Sequence, residues 1–599
     1  MPIEFLSVTS SAKSVSSAKK NSAKQMIYKI SSTNPSSRYL QVEATTENSE
    51  RKNIEIQLPA WRPGRYELGN FSKNVRNLRA YDSTLKELKV AKNTKDCWSI
   101  ASEGTALVTV RYDYFANELN AGSTFVDDSQ IYVNPVNCLI YNPAKINEEC
   151  SIELDIPSDW EIACALKTQN KNILVAPNYD RLADSPFIAS KTLKKNKFEI
   201  AGVEFNLWFQ GPTNLDWPKI IADFSLFTAA QMELFGSFPS SAYHFIFQIL
   251  PHRFYHGVEH TESTVIALGP AYMLMEGDTY NDFLGVSCHE LFHAWNIKAI
   301  RPAEMLPYDF TKENYSRLGY VTEGVTTYYG DYLLFRSSVW GEEDFWPAFN
   351  ERMDHHFESH ARYFQPVSEA SFDSWLDGYV LGAPHRKTSI YHEGCLLAFV
   401  TDMFIRKNTE NKKSLDSVMK RLWNEFALKG NGYTEADYKR IVEEEAGADF
   451  SFYWDNYFYK ANSYETILVE ALSIIGCDLI FVPSNRPHEH YYGFKVVESM
   501  GLTKVSEIYY GSPAEKNGLA VGDEIIAVNE MQVKVNMAEW INYFAEQAIE
   551  IIVASGGKIK TIQLIKNSST YFANPRVLRK ENSSNLEIAA WESWSGKSF

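Results

Sequence analysis

Two histidines four residues apart enclose a glutamate in the run His289-Glu290-Leu291-Phe292-His293. In an α-helix, residues i and i+4 lie one above the other on the same face, so both imidazoles can reach one tetrahedral cation. Glu290 then projects beside that cation, where a carboxylate can take a proton from a water that the metal acidifies. Leu284, Cys288, Leu291, Phe292 and Trp295 give the segment an apolar side that would bury it. With 13 histidines in 599 residues, a chance HExxH arises in roughly a per cent or two of such chains.

A catalytic zinc site needs a third protein ligand and an open fourth position. Glu323, in Val321-Thr322-Glu323-Gly324, is the candidate, 30 residues after His293. The segment has helical periodicity, which puts Glu323 near the start of a second helix facing the first. Taken alone, Glu323 reads equally as an exposed carboxylate favoured there by the helix dipole.

Around these residues the chain is long enough for two to four domains. Residues 25–205 read as short strands (Met26–Ile30, Ile54–Leu58, Ala106–Tyr112, Cys150–Ile156) broken by Gly, Pro, Asn and Ser, the pattern of a β-sandwich. Residues 206–480 become mostly helical, with helices expected near Asp282–Ile297, Val321–Arg336, Tyr391–Arg406 and Lys413–Phe426. Residues 485–570 return to short strands, and 571–599 form a tail whose Trp591, Trp594 and Phe599 suit docking onto a neighbour. The whole is a multidomain α+β chain. The Ser/Lys-rich residues 1–24 read as a disordered extension without the apolar core of a secretory signal.

Net charge is −16 and the pI near 5.4, which argues against nucleic acid or an anionic membrane as partner. No run of 18 apolar residues suggests a membrane span. Seven scattered cysteines without a CxxC pair suit reduced thiols, and a cytoplasmic location is expected.

The stretch His289–Pro302, HELFHAWNIKAIRP, followed by Thr322-Glu323-Gly324, closely resembles the glycyl aminopeptidase family of gluzincin metallopeptidases. Pro59-Ala60-Trp61-Arg62-Pro63-Gly64-Arg65-Tyr66 resembles that family's N-terminal signature. The resemblance covers most of the chain. It implies an N-terminal β-domain, a thermolysin-like catalytic domain and a C-terminal PDZ domain, with one zinc ion per chain on His289, His293 and Glu323. It also implies that Glu259 binds the substrate's α-ammonium and that Tyr391 donates a hydrogen bond to the oxyanion, against the plainer readings of a strand-end carboxylate and a core tyrosine. The implied reaction is removal of an N-terminal glycine or other small residue from peptides. The alternatives are a zinc endopeptidase, or a PDZ scaffold with an idle metal site. In the PDZ-like region, Tyr492-Gly493-Phe494 sits where a carboxylate-binding loop would lie, to capture a peptide C-terminus or protein partner, or else the module is a structural appendage.

Three positions depart from the family pattern. His256 stands at the first Gly of Gly-x-x-Glu, and Glu393 stands where a Lys is usual, with a consequence expected for charge near the substrate. Thr327 takes the place of a carboxylate that could orient a ligand. A second histidine pair, His356 and His360 around Glu358, has the order HxExH among charged neighbours and reads as a solvated face. His252 and His260 are expected at the cleft or surface, and Cys288 as a small buried apolar group.

Overall fold

The computed structural model describes residues 26–379, 382–544 and 548–599. The extension expected over 1–24 lies outside the described residues.

The N-terminal part is a β-sandwich. An eight-stranded sheet runs Lys167–Asn170, Ile173–Ala176, Cys150–Leu154, Ile27–Ser31, Tyr39–Glu47, Leu107–Phe115, Val75–Tyr81, Glu87–Leu88. Strand Tyr39–Glu47 buries every second residue, the period that a one-sided sheet demands. A four-stranded sheet carrying Gln130–Val133 and Phe187–Ser190, and a three-stranded sheet carrying Ile54–Gln57, complete the core. That core also contains Ile297, Met305, Tyr308 and Phe310, which follow the HExxH motif in sequence. The β-domain and the helical domain therefore share apolar packing rather than meeting through a polar linker.

The second core is built on a five-stranded mixed sheet, in the order Lys194–Ile200, Val203–Gln210, Ala242–Ile249, Ser263–Gly269, Phe254–Glu259. Strand Val203–Gln210 runs across the division expected at 205/206, because its hydrogen bonds go to Ala242–Ile249 in this sheet. The division thus falls nearer residue 191. The antiparallel edge strand Phe254–Glu259 lies beside helix Gly277–Phe292 and ends at Glu259.

The expected helices are present with shifted ends. Gly277–Phe292 starts earlier than Asp282 and stops before Ile297, because Asn296 and Ile297 (φ 94°) turn the chain. Ile390–Asn408 and Leu415–Glu425 correspond to the third and fourth. In place of one helix from Val321, a π-helical turn Tyr320–Val325 leads into α-helix Thr326–Arg336.

The C-terminal sheet has the PDZ arrangement of Phe494–Ser499, Leu502–Ile508, Glu524–Val528, Ala548–Ser555 and Lys558–Ile565, with helix Met537–Phe544. It is leashed to the helical domain by the antiparallel ribbon Cys477–Val482 with Asn574–Arg579. The tail ends in helix Asn585–Ser595, whose Trp591 and Trp594 are fully buried. Trp594 stacks on Tyr332 at 5.4 Å, and its indole donates to the Tyr328 hydroxyl at 3.0 Å. The tail therefore buttresses the helix that follows Glu323. Among the described residues, no helix is long and apolar enough to cross a membrane.

Candidate metal centre

Helix Gly277–Phe292 is pinned in the core by Phe283, Leu284, Cys288 and Leu291, and by Gln231, which donates to the Cys288 carbonyl at 2.8 Å. His289 and Glu290 lie in its last turn, and His293 caps it. The two imidazoles cross edge to face, with Nε2 atoms 3.1 Å apart. His293 Nδ1 donates to the Asn296 carbonyl at 2.8 Å, which fixes the ring with Nε2 toward His289 and Glu323.

Glu323 arrives from the π-helical turn, and its Oε2 lies 3.3 Å from His293 Nε2. Two features fix that turn. Asn296 Nδ2 donates to the Val321 carbonyl at 2.8 Å and to the Thr326 hydroxyl at 3.0 Å. Gly324 packs against Gly394, where a Cβ would lie 2.3 Å from the Gly394 Cα. Only glycine fits that crossing, which explains the residue that follows Glu323. One-turn π segments are frequent at functional sites because they re-aim a side chain.

Ligand atoms of His289, His293 and Glu323 lie within 4.8 Å of one another. Two donors at about 2.0–2.1 Å from a tetrahedral ion stand about 3.3–3.4 Å apart. The observed 3.1 and 3.3 Å match that spacing, and two nitrogens and a carboxylate oxygen are a zinc-type donor set. The residues fit zinc.

The cleft beside them is a cavity of about 310 Å³ lined by His289, Glu290, His293, Glu323, Glu259 and Tyr391 among others. Glu290 and Glu259 are 5% and 4% exposed, and each has a buried carboxylate oxygen without a hydrogen-bond partner. Such orphaned acids are costly unless a ligand meets them. Burial pushes the Glu290 carboxyl well above its usual range, with His293 pulling the other way. Burial likewise lowers His289, helped by His293. At His293 burial is outweighed by the adjacent Glu323 carboxylate, which raises it to about 10 in the metal-free chain.

Gly257 brings the edge strand against helix Gly277–Phe292, since a Cβ there would stand 2.1 Å from Glu290 Oε1. The close approach thus uses Gly257, and His256 is left to line the cavity. Burial next to Arg62 and Arg65 lowers His256 to about 3, so it stays neutral. Tyr391 lines the cavity from the first turn of helix Ile390–Asn408, its hydroxyl 3.1 Å from that of Tyr379.

Two expectations need correction. Glu393 does not face the substrate: it points into the core, where it accepts from His356 Nδ1 at 2.8 Å. Nor is the HxExH segment a solvated face, because His356 and His360 are 0% and 2% exposed. His356 Nε2 accepts the Tyr464 amide at 3.0 Å, Glu358 pairs with Lys495 at 2.6 Å, and the His360 ring packs on Tyr509. The three residues face three different partners and form no shared site.

Thr327 hydrogen-bonds the Glu323 backbone carbonyl at 2.8 Å and leaves the carboxylate alone. The donor to that carboxylate is Tyr66, at 2.9 Å to Oε1, from the β-domain. The roles of Tyr66 and Asn296 were not read from the sequence, although Tyr66 ends a motif singled out above. His260 is buried, not cleft-lining: its Nδ1 and Lys298 Nζ share Asp184 Oδ1 at 3.1 and 2.8 Å. Lys298 therefore ties the segment after the motif to the β-domain. Cys288 is fully buried, and His252 is exposed.

Sequence models of three families match the chain in order: the peptidase M61 N-terminal domain at residues 27–191, the M61 glycyl aminopeptidase at 282–397, and the PDZ domain at 482–563. No curated protein sequence matches. An aminopeptidase N family protein from Idiomarina loihiensis has a similar structure, with a TM-score of 0.87 and 26% identity over 94% of this chain and 99% of that one. An M1 zinc metallopeptidase from Deinococcus radiodurans is similar at TM-score 0.42 and 12% identity, over 71% of this chain and 91% of that one. A mutant of that enzyme has been solved with a Tyr-Ser-Ala substrate, at TM-score 0.43 and 13% identity over the same shares. Fold and site together define a zinc metallopeptidase. Residues 27–191 and 282–397 match the two M61 glycyl aminopeptidase domains, and residues 482–563 match a PDZ domain.

Proposed function

We propose that this chain removes one N-terminal residue, glycine or another small one, from peptides, using a single zinc ion on His289, His293 and Glu323. The observation that carries this reading is the pair of buried, unpartnered acids, Glu290 and Glu259, that share one cavity with the ligand triad. Zinc bound there would polarise the scissile carbonyl and acidify a water.

The chain's own groups have the remaining tasks. Glu290 takes the water proton and later returns it to the leaving amine nitrogen. Glu259, at the closed end of the edge strand, accepts the substrate's α-ammonium in a charge-assisted contact. That contact fixes the cut one residue in. Tyr391 donates its hydroxyl proton in a hydrogen bond to the oxygen where negative charge develops. Gly64 closes the space over Glu259, since a Cβ there would meet Glu259 Oε2 at 2.4 Å, which favours a small first side chain. The PDZ domain is assigned to binding a peptide or protein partner.

The test compares a free peptide with its N-acetylated form on zinc-loaded protein. Cleavage confined to the free peptide is the expected outcome. Equal cleavage of both would replace this reading with an endopeptidase.

A further inference from the structure

We infer that Tyr66 is a positioning residue for the metal ligand Glu323, so that the β-domain completes the metal centre of the helical domain. The inference rests on the metal reading above and extends it to a residue 257 positions from its partner.

Glu323 has two carboxylate oxygens with different surroundings. Oε2 faces His293 Nε2 at 3.3 Å, whereas Oε1 accepts the Tyr66 hydroxyl at 2.9 Å. Among the described residues no other side chain donates to Oε1, because Thr327 spends its hydroxyl on the backbone carbonyl. A carboxylate held by one oxygen presents the other in a single direction, which is what one-oxygen ligation of a cation needs. Carboxylate ligands are in general held this way by outer hydrogen bonds. The donor's type also matters. Glu290 and Glu259 stand in the same cavity, and an Arg or Lys at this place would add a positive charge that competes with a divalent cation. A neutral phenol orients Glu323 without that competition.

The phenol is itself held. Tyr66 is 6% exposed and packs edge-on against Trp375 at 6.1 Å. Its segment is docked on the catalytic domain at the preceding residues. The Trp61 indole donates to the Asp309 carbonyl at 2.7 Å, and the Ala60 amide to the Phe310 carbonyl at 2.8 Å. Gly64 (φ 79°) then turns the chain so that Tyr66 reaches inward. Trp61, Gly64 and Tyr66 therefore have separate tasks in one short stretch: anchor, turn and donor.

The experiment uses the full-length chain with Tyr66→Phe, which removes only the hydroxyl. Zinc affinity is measured by competition with a chelator, and zinc release by a chelator chase. Zinc binding weakened about 10–100-fold is expected, with the melting temperature of the metal-free chain unchanged. With zinc in excess, kcat should fall while KM stays constant, since Glu323 does not touch the peptide's amino end. Glu323→Gln serves as the reference for loss of the ligand. If Glu323→Gln weakens zinc and Tyr66→Phe does not, the positioning role is overturned and the metal reading stands. If neither weakens zinc, the metal reading itself fails. Trp61→Phe, which loosens the anchor but keeps the phenol, separates positioning from docking. A smaller zinc loss than in Tyr66→Phe supports the inference, and an equal loss overturns it.

Discussion

Two regions of this chain place histidines four apart in sequence with a glutamate close by, and they have opposite fates. Around His289 and His293, Nε2 atoms and carboxylates converge on a cavity, with Glu290 and Glu259 left unpaired. Around His356, the same kinds of side chain are consumed pairwise, by Glu393 on one ring nitrogen and the Tyr464 amide on the other. The first region holds unspent polar capacity beside open space, which a cation and a substrate can use. The second is closed, and its charge serves packing. Spacing alone does not separate the two. What does is convergence: His356 has both ring nitrogens engaged and His360 packs on Tyr509 apart from it, whereas His289 and His293 turn their Nε2 atoms to one point beside Glu323.

That contrast can be broken or sharpened by substitution. Glu290→Gln should lower kcat about 10²–10⁴-fold, the usual worth of a general base, with zinc content unchanged in elemental analysis. A variant that kept full activity would remove Glu290 from the mechanism. In the closed region, Glu393→Leu leaves His356 buried without its acid and should cost about 3–5 kcal/mol in denaturant unfolding of the catalytic domain. Zinc content and KM should not move, and joining it with His356→Leu should restore much of the loss. A fall in zinc content would show that the second region serves the metal after all. Glu259→Gln, the mildest of the three, should reduce kcat/KM on free peptides about 10–100-fold, as expected for losing a hydrogen bond between charged groups. N-acetylated peptides should stay uncut, as with the unsubstituted chain. An unchanged kcat/KM on free peptides would place Glu259 outside amino-terminus recognition.

Glu393 also shows where sequence reading stopped. Its position in the family pattern suggested a charge near substrate, yet its partner His356 lies 37 residues away on another helix and draws it into the core. Local sequence holds no trace of such a pairing. The same limit applies to Glu323, which was legible as the third ligand candidate while the π-helical turn that aims it was not. That turn depends on Asn296 and on the Gly324–Gly394 crossing, both tertiary. Conversely, sandwich strands such as Tyr39–Glu47 and Leu107–Phe115 were readable because they bury alternate residues, a period written directly in the chain.

The sequence by itself determined the pair of imidazoles, the glutamate between them and the strand or helix character of each region, since these follow from spacing along a single element. Tertiary structure alone decided which carboxylates meet those imidazoles, which stay unpaired, and that a β-domain tyrosine holds Glu323. Those contacts join residues that are distant in the chain, and only the packing of sheet, helix and tail brings them within hydrogen-bond reach.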